Sequence, residues 1–172
     1  MSYNNKEEYE AQVKAFQVKY PDFKPARDIE VLNLTMFRKN AKEILEGTKK
    51  VEYRAFSDHY VGRLFDRDVL KFLEKHQNEE DVAKAQEDGI VDPLRVVRKI
   101  HFHNYNNTWF LDVNVEVNDS CILMKEDMDM LHEAYDSHDL DEMYKDMELK
   151  KEKERPMFFF FVMGNIIDTN LK

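Results

Sequence analysis

Residues 44–54 read Ile44-Leu45-Glu46-Gly47-Thr48-Lys49-Lys50-Val51-Glu52-Tyr53-Arg54. An apolar pair ends a helical pattern, a glycine follows, and an alternating charged segment begins. Gly47 stands where a helix C′ residue is expected, because glycine enters the left-handed region without a Cβ penalty. Beyond it the side-chain period becomes two. Glu52 and Arg54 therefore share one face of a strand, and Val51 and Tyr53 share the other. Lys49 opens that strand. A lysine, a carboxylate and a guanidinium converging at one mouth can grip a polar heterocycle or a phosphate. They can equally pair with one another and do no more than solvate the strand.

Upstream, residues 38–46 read as a short helix with Ala41, Ile44 and Leu45 on its apolar face. Residues 29–36 read as a strand, and 49–55 as the next one. A helix over 5–20 carries Tyr9, Val13, Phe16 and Tyr20 on one stripe, with Asn5 as N-cap and Glu8 in the capping-box position. Pro21 and Pro25 end it.

Downstream, 58–76 is helical in one or two segments, with Tyr60, Leu64, Phe65, Val69, Phe72 and Leu73 at compatible spacing. A further helix runs from the Asn78 cap to Asp88, and Gly89 stops it. Strands are expected at 94–103 and 108–118, joined by the turn Asn104–Asn107, and a short one at 120–124. In 108–118, Trp109, Leu111, Val113, Val115 and Val117 alternate with Phe110, Asp112, Asn114, Glu116 and Asn118, the pattern of a half-buried strand with one wet face. Helices follow at 126–135 and 139–150. The last strand, 157–167, is apolar enough to be buried on both faces. Strands are mostly not separated by long helices, so the expected class is α+β.

The 172 residues carry a net charge of −9, 35% charged residues, twelve Phe and eight Tyr. That suits a folded domain with a well-solvated surface. Residues 29–54 have a balance of +2 and residues 101–172 one of −9. Generic nucleic-acid binding through phosphates is therefore disfavoured, but a local basic pocket is permitted. The longest apolar run, Met157 to Gly164, is too short to span a membrane. The polar N-terminus lacks a secretory h-region, and Cys121 is alone. A cytoplasmic protein with no disulfide is expected, and Cys121 as a small buried apolar residue. With four glycines and no Gly-rich loop, no dinucleotide or P-loop site is expected. His101 and His103 face one side of a strand, but nothing fixes a third ligand among His59, His132 and Asp112. No metal and no cofactor are expected.

The segment from Ile44 to Arg54 resembles the signature of the ASCH domain, within the PUA-like superfamily: an apolar pair, then Gly-x-Lys-x-x-Glu-x-Arg. Gly47, Lys49, Glu52 and Arg54 carry the match. Glu52-Tyr53-Arg54 with Tyr60 and Arg63 is similar to the Glu-Tyr-Arg subgroup, and Phe102-His103-Asn104-Tyr105 to its strand-to-turn segment. The resemblance covers 29–171. It implies a mixed, mainly antiparallel PUA-like β-barrel with surrounding short helices. On that reading 1–28 is a helical extension, 29–172 the domain, and 66–90 a helical insertion.

The implied function is binding of RNA, a nucleotide or a modified nucleoside at the barrel mouth. The residues concerned are Lys49, Glu52, Arg54, Tyr53, Tyr60, Arg63 and Asn104. Tyr105 and Trp109 join Tyr53 and Tyr60 as aromatics able to stack on bases or to pack in the core. Some small members of the family are amidohydrolases of N4-acetylcytidine. For that reaction Lys49 matches the family lysine, and Glu133 or Asp136 stands for a later glutamate. Glu52 occupies the position of the family threonine, which puts that exact reaction in doubt. A third reading is a protein-interaction module docking through the N-terminal or the acidic C-terminal helices.

Overall fold

The computed structural model describes residues 6–172. The described chain contains α1 (Lys6–Lys19), β1 (Ile29–Thr35), α2 (Arg38–Glu46), β2 (Val51–Ala55), α3 (Asp58–Leu64), α4 (Arg67–Lys75) and α5 (Glu80–Glu87). Then come β3 (Val97–His103), β4 (Phe110–Ile122), α6 (Lys125–Tyr135), α7 (Asp141–Asp146), a 3-10 turn (Glu152–Glu154) and β5 (Met157–Thr169). The class is α+β, as expected. The expected Asn5 cap lies outside the described residues.

Two compact units divide the chain. The first combines residues 1–28 with 61–95, and the second combines 29–60 with 96–172. The N-terminal helix therefore shares a core with the helical stretch near 66–90. In that core Val13, Tyr20 and Phe23 join Val69, Phe72, Val82, Ala85 and Val91. Tyr9 and Phe16 of the expected stripe pack against it. Asp66 separates α3 from α4 by capping α4: its carboxylate accepts the Asp68 N–H. The same carboxylate takes the Arg27 N–H and Nε–H, each at 3.0 Å.

The second unit holds one five-stranded mixed sheet in the order β1-β3-β4-β5-β2. β1 runs parallel to β3, and every other neighbouring pair is antiparallel. β1 and β2 are the two ends of the ladder, and among the described residues no ladder joins them, so a closed barrel is not shown. β4 and β5 are long, and their pairing has register shifts between Asp112 and Val117. The expected alternation therefore holds at Trp109, Leu111 and Val113, which are buried, and fails at Val117, which is exposed. The separate strand expected at 120–124 is instead the end of β4.

Further boundaries differ from expectation, and β2 begins at Val51, so Lys49 lies in the connection before the strand and does not open it. Leu94 forms an isolated bridge with Phe65, and the Arg95 N–H goes to the Leu64 carbonyl, so β3 starts only at Val97. The 139–150 helix shortens to α7. The cap of α5 is Glu79 rather than Asn78. Gly89 does stop α5, with φ at +76°.

β5 is buried on both faces from Phe159 to Met163, as its composition requires, and then becomes exposed. One side of this sheet end packs on α6 and α7 through Val51, Cys121, Leu123, Met128, Leu131, Leu140, Phe160 and Val162. Burial pushes the Cys121 thiol up to about 12, which keeps it protonated and unreactive.

Candidate functional site

Gly47 ends α2 in the left-handed conformation, at φ +83°. The Thr48 and Lys49 N–H groups both return to the Glu43 carbonyl. This turn sets the phase of β2. Val51 and Tyr53 face the core with Phe160 and Val162, and the Tyr53 hydroxyl hydrogen-bonds Ser137 Oγ at 2.6 Å. Glu52 and Arg54 then project from the opposite face.

Arg54 is held on two sides. Its Nη1 donates to the Tyr60 hydroxyl at 3.0 Å, and its Nη2 to the Thr35 carbonyl at 2.8 Å. The guanidinium carbon also lies 5.9 Å from the Tyr60 ring centroid, within cation–π range. Arg54 thus ties β2 to the end of β1, the two strands that no ladder joins. Its Nε sits 3.2 Å from Glu52 Oε1, a close charge contact whose N–H is not aligned for a hydrogen bond.

Glu52 is 8% exposed. Its Oε2 lies 3.8 Å from the Lys49 amine, too far for a hydrogen bond. Burial pushes the Glu52 carboxyl above its ordinary value, against the pull of Lys49 and Arg54. Glu52 Oε2 and Arg54 Nε are both buried and both lack a hydrogen-bond partner. Such orphans are rare in folded proteins, because each costs about 1–3 kcal/mol.

Both residues line a cleft of about 840 Å³. Thr35, Met36, Phe37, Arg38 and Asn40 form one wall, where β1 runs into α2. Asn104, Tyr105, Asn106, Thr108 and Trp109 form another, from the β3–β4 turn. Phe37 is 83% exposed and Tyr105 is 91% exposed. Two large rings held in water at the rim of one cleft are available for contact. Phe37 is also the N-cap of α2 and supplies no side-chain cap, so the first turn of the helix has none.

The remaining expected site residues distribute as follows. Lys49 is largely buried and donates to Asp139 Oδ2 at 2.6 Å, so its amine bridges Asp139 and Glu52. Tyr60 acts on Arg54 and is not part of the cleft lining. Asn104 lines the cleft, but its amide organises the turn: Oδ1 accepts the Thr108 and Trp109 N–H groups and Nδ2 donates to Thr108 Oγ1. Trp109 is buried and contributes to the cleft lining. Arg63 belongs to the first unit, where its carbonyl accepts from Arg95. Glu133 is exposed on α6, and Asp136 caps α6 at φ +49° with its carboxylate on His138. Neither lines the cleft.

Phe37, Arg38 and Asn40 were not marked by the sequence. The available signal was a large apolar residue at a strand-to-helix junction, immediately before Arg38-Lys39.

His101 and His103 stack at 5.5 Å in the second unit. His101 Nδ1 meets Asp112 Oδ1 at 2.5 Å, and His103 Nδ1 meets the Asn104 carbonyl. His59 lies edge-on to Tyr60, and His132 pairs with Asp141, so neither completes a ligand set with His101 and His103.

No protein-family model matches this sequence, and no curated protein matches it. Among solved structures, the crystal structure of a mutant ZmASCH protein from Zymomonas mobilis is similar at 13% identity and a TM-score of 0.42. The overlap covers 83% of this chain and 75% of that one. At this level the likeness carries no argument about residues or activity. No helix among the described residues is long and apolar enough to cross a membrane.

Proposed function

We propose that the cleft between the ends of β1 and β2 binds a nucleotide or modified nucleoside, free or within single-stranded RNA. The observation that carries this reading is the pair of orphaned buried atoms, Glu52 Oε2 and Arg54 Nε, in two residues that line an 840 Å³ cleft. One is an acceptor and its neighbour a donor. That pairing complements the amide or amidine edge of a base, and a base entering the cleft would satisfy both. Phe37 and Tyr105, from two different segments lining the cleft, supply stacking faces, and base stacking is tolerant of sequence. The uncapped N-terminus of α2, with Arg38 beside it, suits a phosphate. Arg54 bridging to Thr35 is compatible with a barrel-like mouth closed by a side chain instead of a ladder.

Titration of ribonucleosides, ribonucleotides and short single-stranded RNA against the full chain tests this. Glu52→Gln and Arg54→Ala each weaken binding by about tenfold or more. Phe37→Ala and Tyr105→Ala each cost about 1–3 kcal/mol of affinity. Both leave Tm unchanged, because both rings stand in water. No binding by any of these ligands, or affinity untouched in a Phe37→Ala, Tyr105→Ala double variant, overturns the reading.

One observation favours a hydrolytic second reading. A buried carboxyl held above its ordinary value, 3.8 Å from an amine, is suited to proton transfer. Lys49, however, is engaged by two carboxylates and is not free to attack. Incubation with N4-acetylcytidine and other acylated nucleosides decides this; absence of product removes hydrolysis and leaves binding.

A further inference from the structure

The short connection between α6 and α7 gathers three metal-binding side chains that the cleft does not use. His132 lies in the last turn of α6, His138 in the connection, and Asp141 opens α7. Their ligand atoms all lie within 4.8 Å of one another. His132 Nε2 meets one oxygen of Asp141 at 2.6 Å, and His138 Nδ1 meets the other at 3.1 Å. The two imidazoles stack at 4.5 Å with 27° between their planes. Both rings thus direct a nitrogen at one carboxylate from the same side.

We propose that His132, His138 and Asp141 form a site for a zinc-type divalent cation. Two imidazole nitrogens and one carboxylate oxygen are the donor set of an open tetrahedral zinc site, with the fourth position left to water. The ring atoms are positioned from outside as well. His138 presents its other nitrogen, Nε2, to Asp136 Oδ1 at 3.0 Å. A carboxylate on the far nitrogen is what fixes tautomer and ring orientation at metal-bound histidines. Leu131 and Leu140 are buried in the core beside the cluster, so the backbone on both sides of the connection is anchored. The half-exposed setting leaves an entry path for the ion.

The position has a consequence for the cleft. Ser137 and Asp139 lie in the same connection and hold Tyr53 and Lys49. A cation bridging α6 to α7 would stiffen the segment that presents both contacts to β2. The ion would thereby support the contacts that back the cleft, and its binding stands whether or not that cleft takes a nucleotide.

The test uses the full chain, freed of metal with a chelator and then titrated with Zn2+, and separately with Co2+. One Zn2+ per chain is expected, with Tm rising by about 5–10 °C at a hundredfold excess over Kd. Co2+ should give the visible absorption of a tetrahedral site. His132→Ala and Asp141→Asn should abolish both effects, while His101→Ala, at the other histidine pair, leaves them intact. His138→Cys keeps a ligand at the position and should add a thiolate charge-transfer band; this variant serves if the deletions impair folding. Absence of Co2+ absorption and of any Tm shift in the wild type overturns the site. So does equal metal binding in His132→Ala and Asp141→Asn.

Discussion

At the residue scale, Glu52 is the position where fold and site conflict. Its carboxyl is buried, one oxygen lacks a partner, and its ordinary value of 4.5 is raised in the folded chain. On raising the pH, the unfolded chain releases this proton first. Wild-type stability therefore falls as the pH climbs from about 4.5 through the raised folded value, and it stays lower above it. Glutamine at this position has no such step. The Tm of Glu52→Gln minus that of the wild type should grow across this window and then level off, as followed by thermal unfolding from about pH 4 to about pH 9. A difference independent of pH would show that burial is not what the carboxyl experiences. Arg54 differs in kind: Tyr60 and Thr35 hold two of its nitrogens, so its third donor is fixed in direction. That fixed direction is what a recognising group needs.

At the element scale, two termini set the local geometry. Gly47 ends α2 at φ +83°, and a Cβ there would meet no atom within 4 Å. Gly47→Ala is therefore penalised by torsion alone, at about 1–2 kcal/mol. Gly47→Asn should cost less, because asparagine tolerates the left-handed region. Urea denaturation with an unchanged m value checks both. At the start of α4, Asp66 is 2% exposed. Burial alone would raise its carboxyl. Hydrogen bonds from the Arg27 backbone, the Arg27 guanidinium and the Asp68 N–H outweigh that and hold it near about 2. Its contribution is present above the unfolded value of 3.8 and is lost as the pH falls through that value toward about 2. Asp66→Ala should cost about 2–3 kcal/mol at neutral pH. The cost should shrink in acid, a trend that chemical denaturation at several pH values would reveal. A constant cost would exclude the ionised carboxylate as its source.

At the scale of the whole molecule, the first unit is assembled from two separate stretches of chain. Val13, Tyr20 and Phe23 come from residues 1–28, and Val69, Phe72, Val82 and Val91 from residues 61–95. Neither stretch buries its apolar face alone. Deleting residues 1–28 should abolish hydrogen-exchange protection in α4 and α5 while β4 and β5 of the second unit stay protected. Retained protection in α4 and α5 would mean that the shared core does not hold them. What the sequence determined by itself was local. The stop at Gly47, the alternation that separates Glu52 and Arg54 from Val51 and Tyr53, and the apolar stripe of α1 follow from preferences acting over a few neighbouring residues. What only the tertiary structure decided depends on distant pairing. β3 beside β1, the exposure of Phe37 and Tyr105 around one cleft, the orphaned atoms of Glu52 and Arg54, and the meeting of His132, His138 and Asp141 are of this kind. Periodicity states which face a side chain takes, whereas burial and convergence are set by what the rest of the chain places against that face.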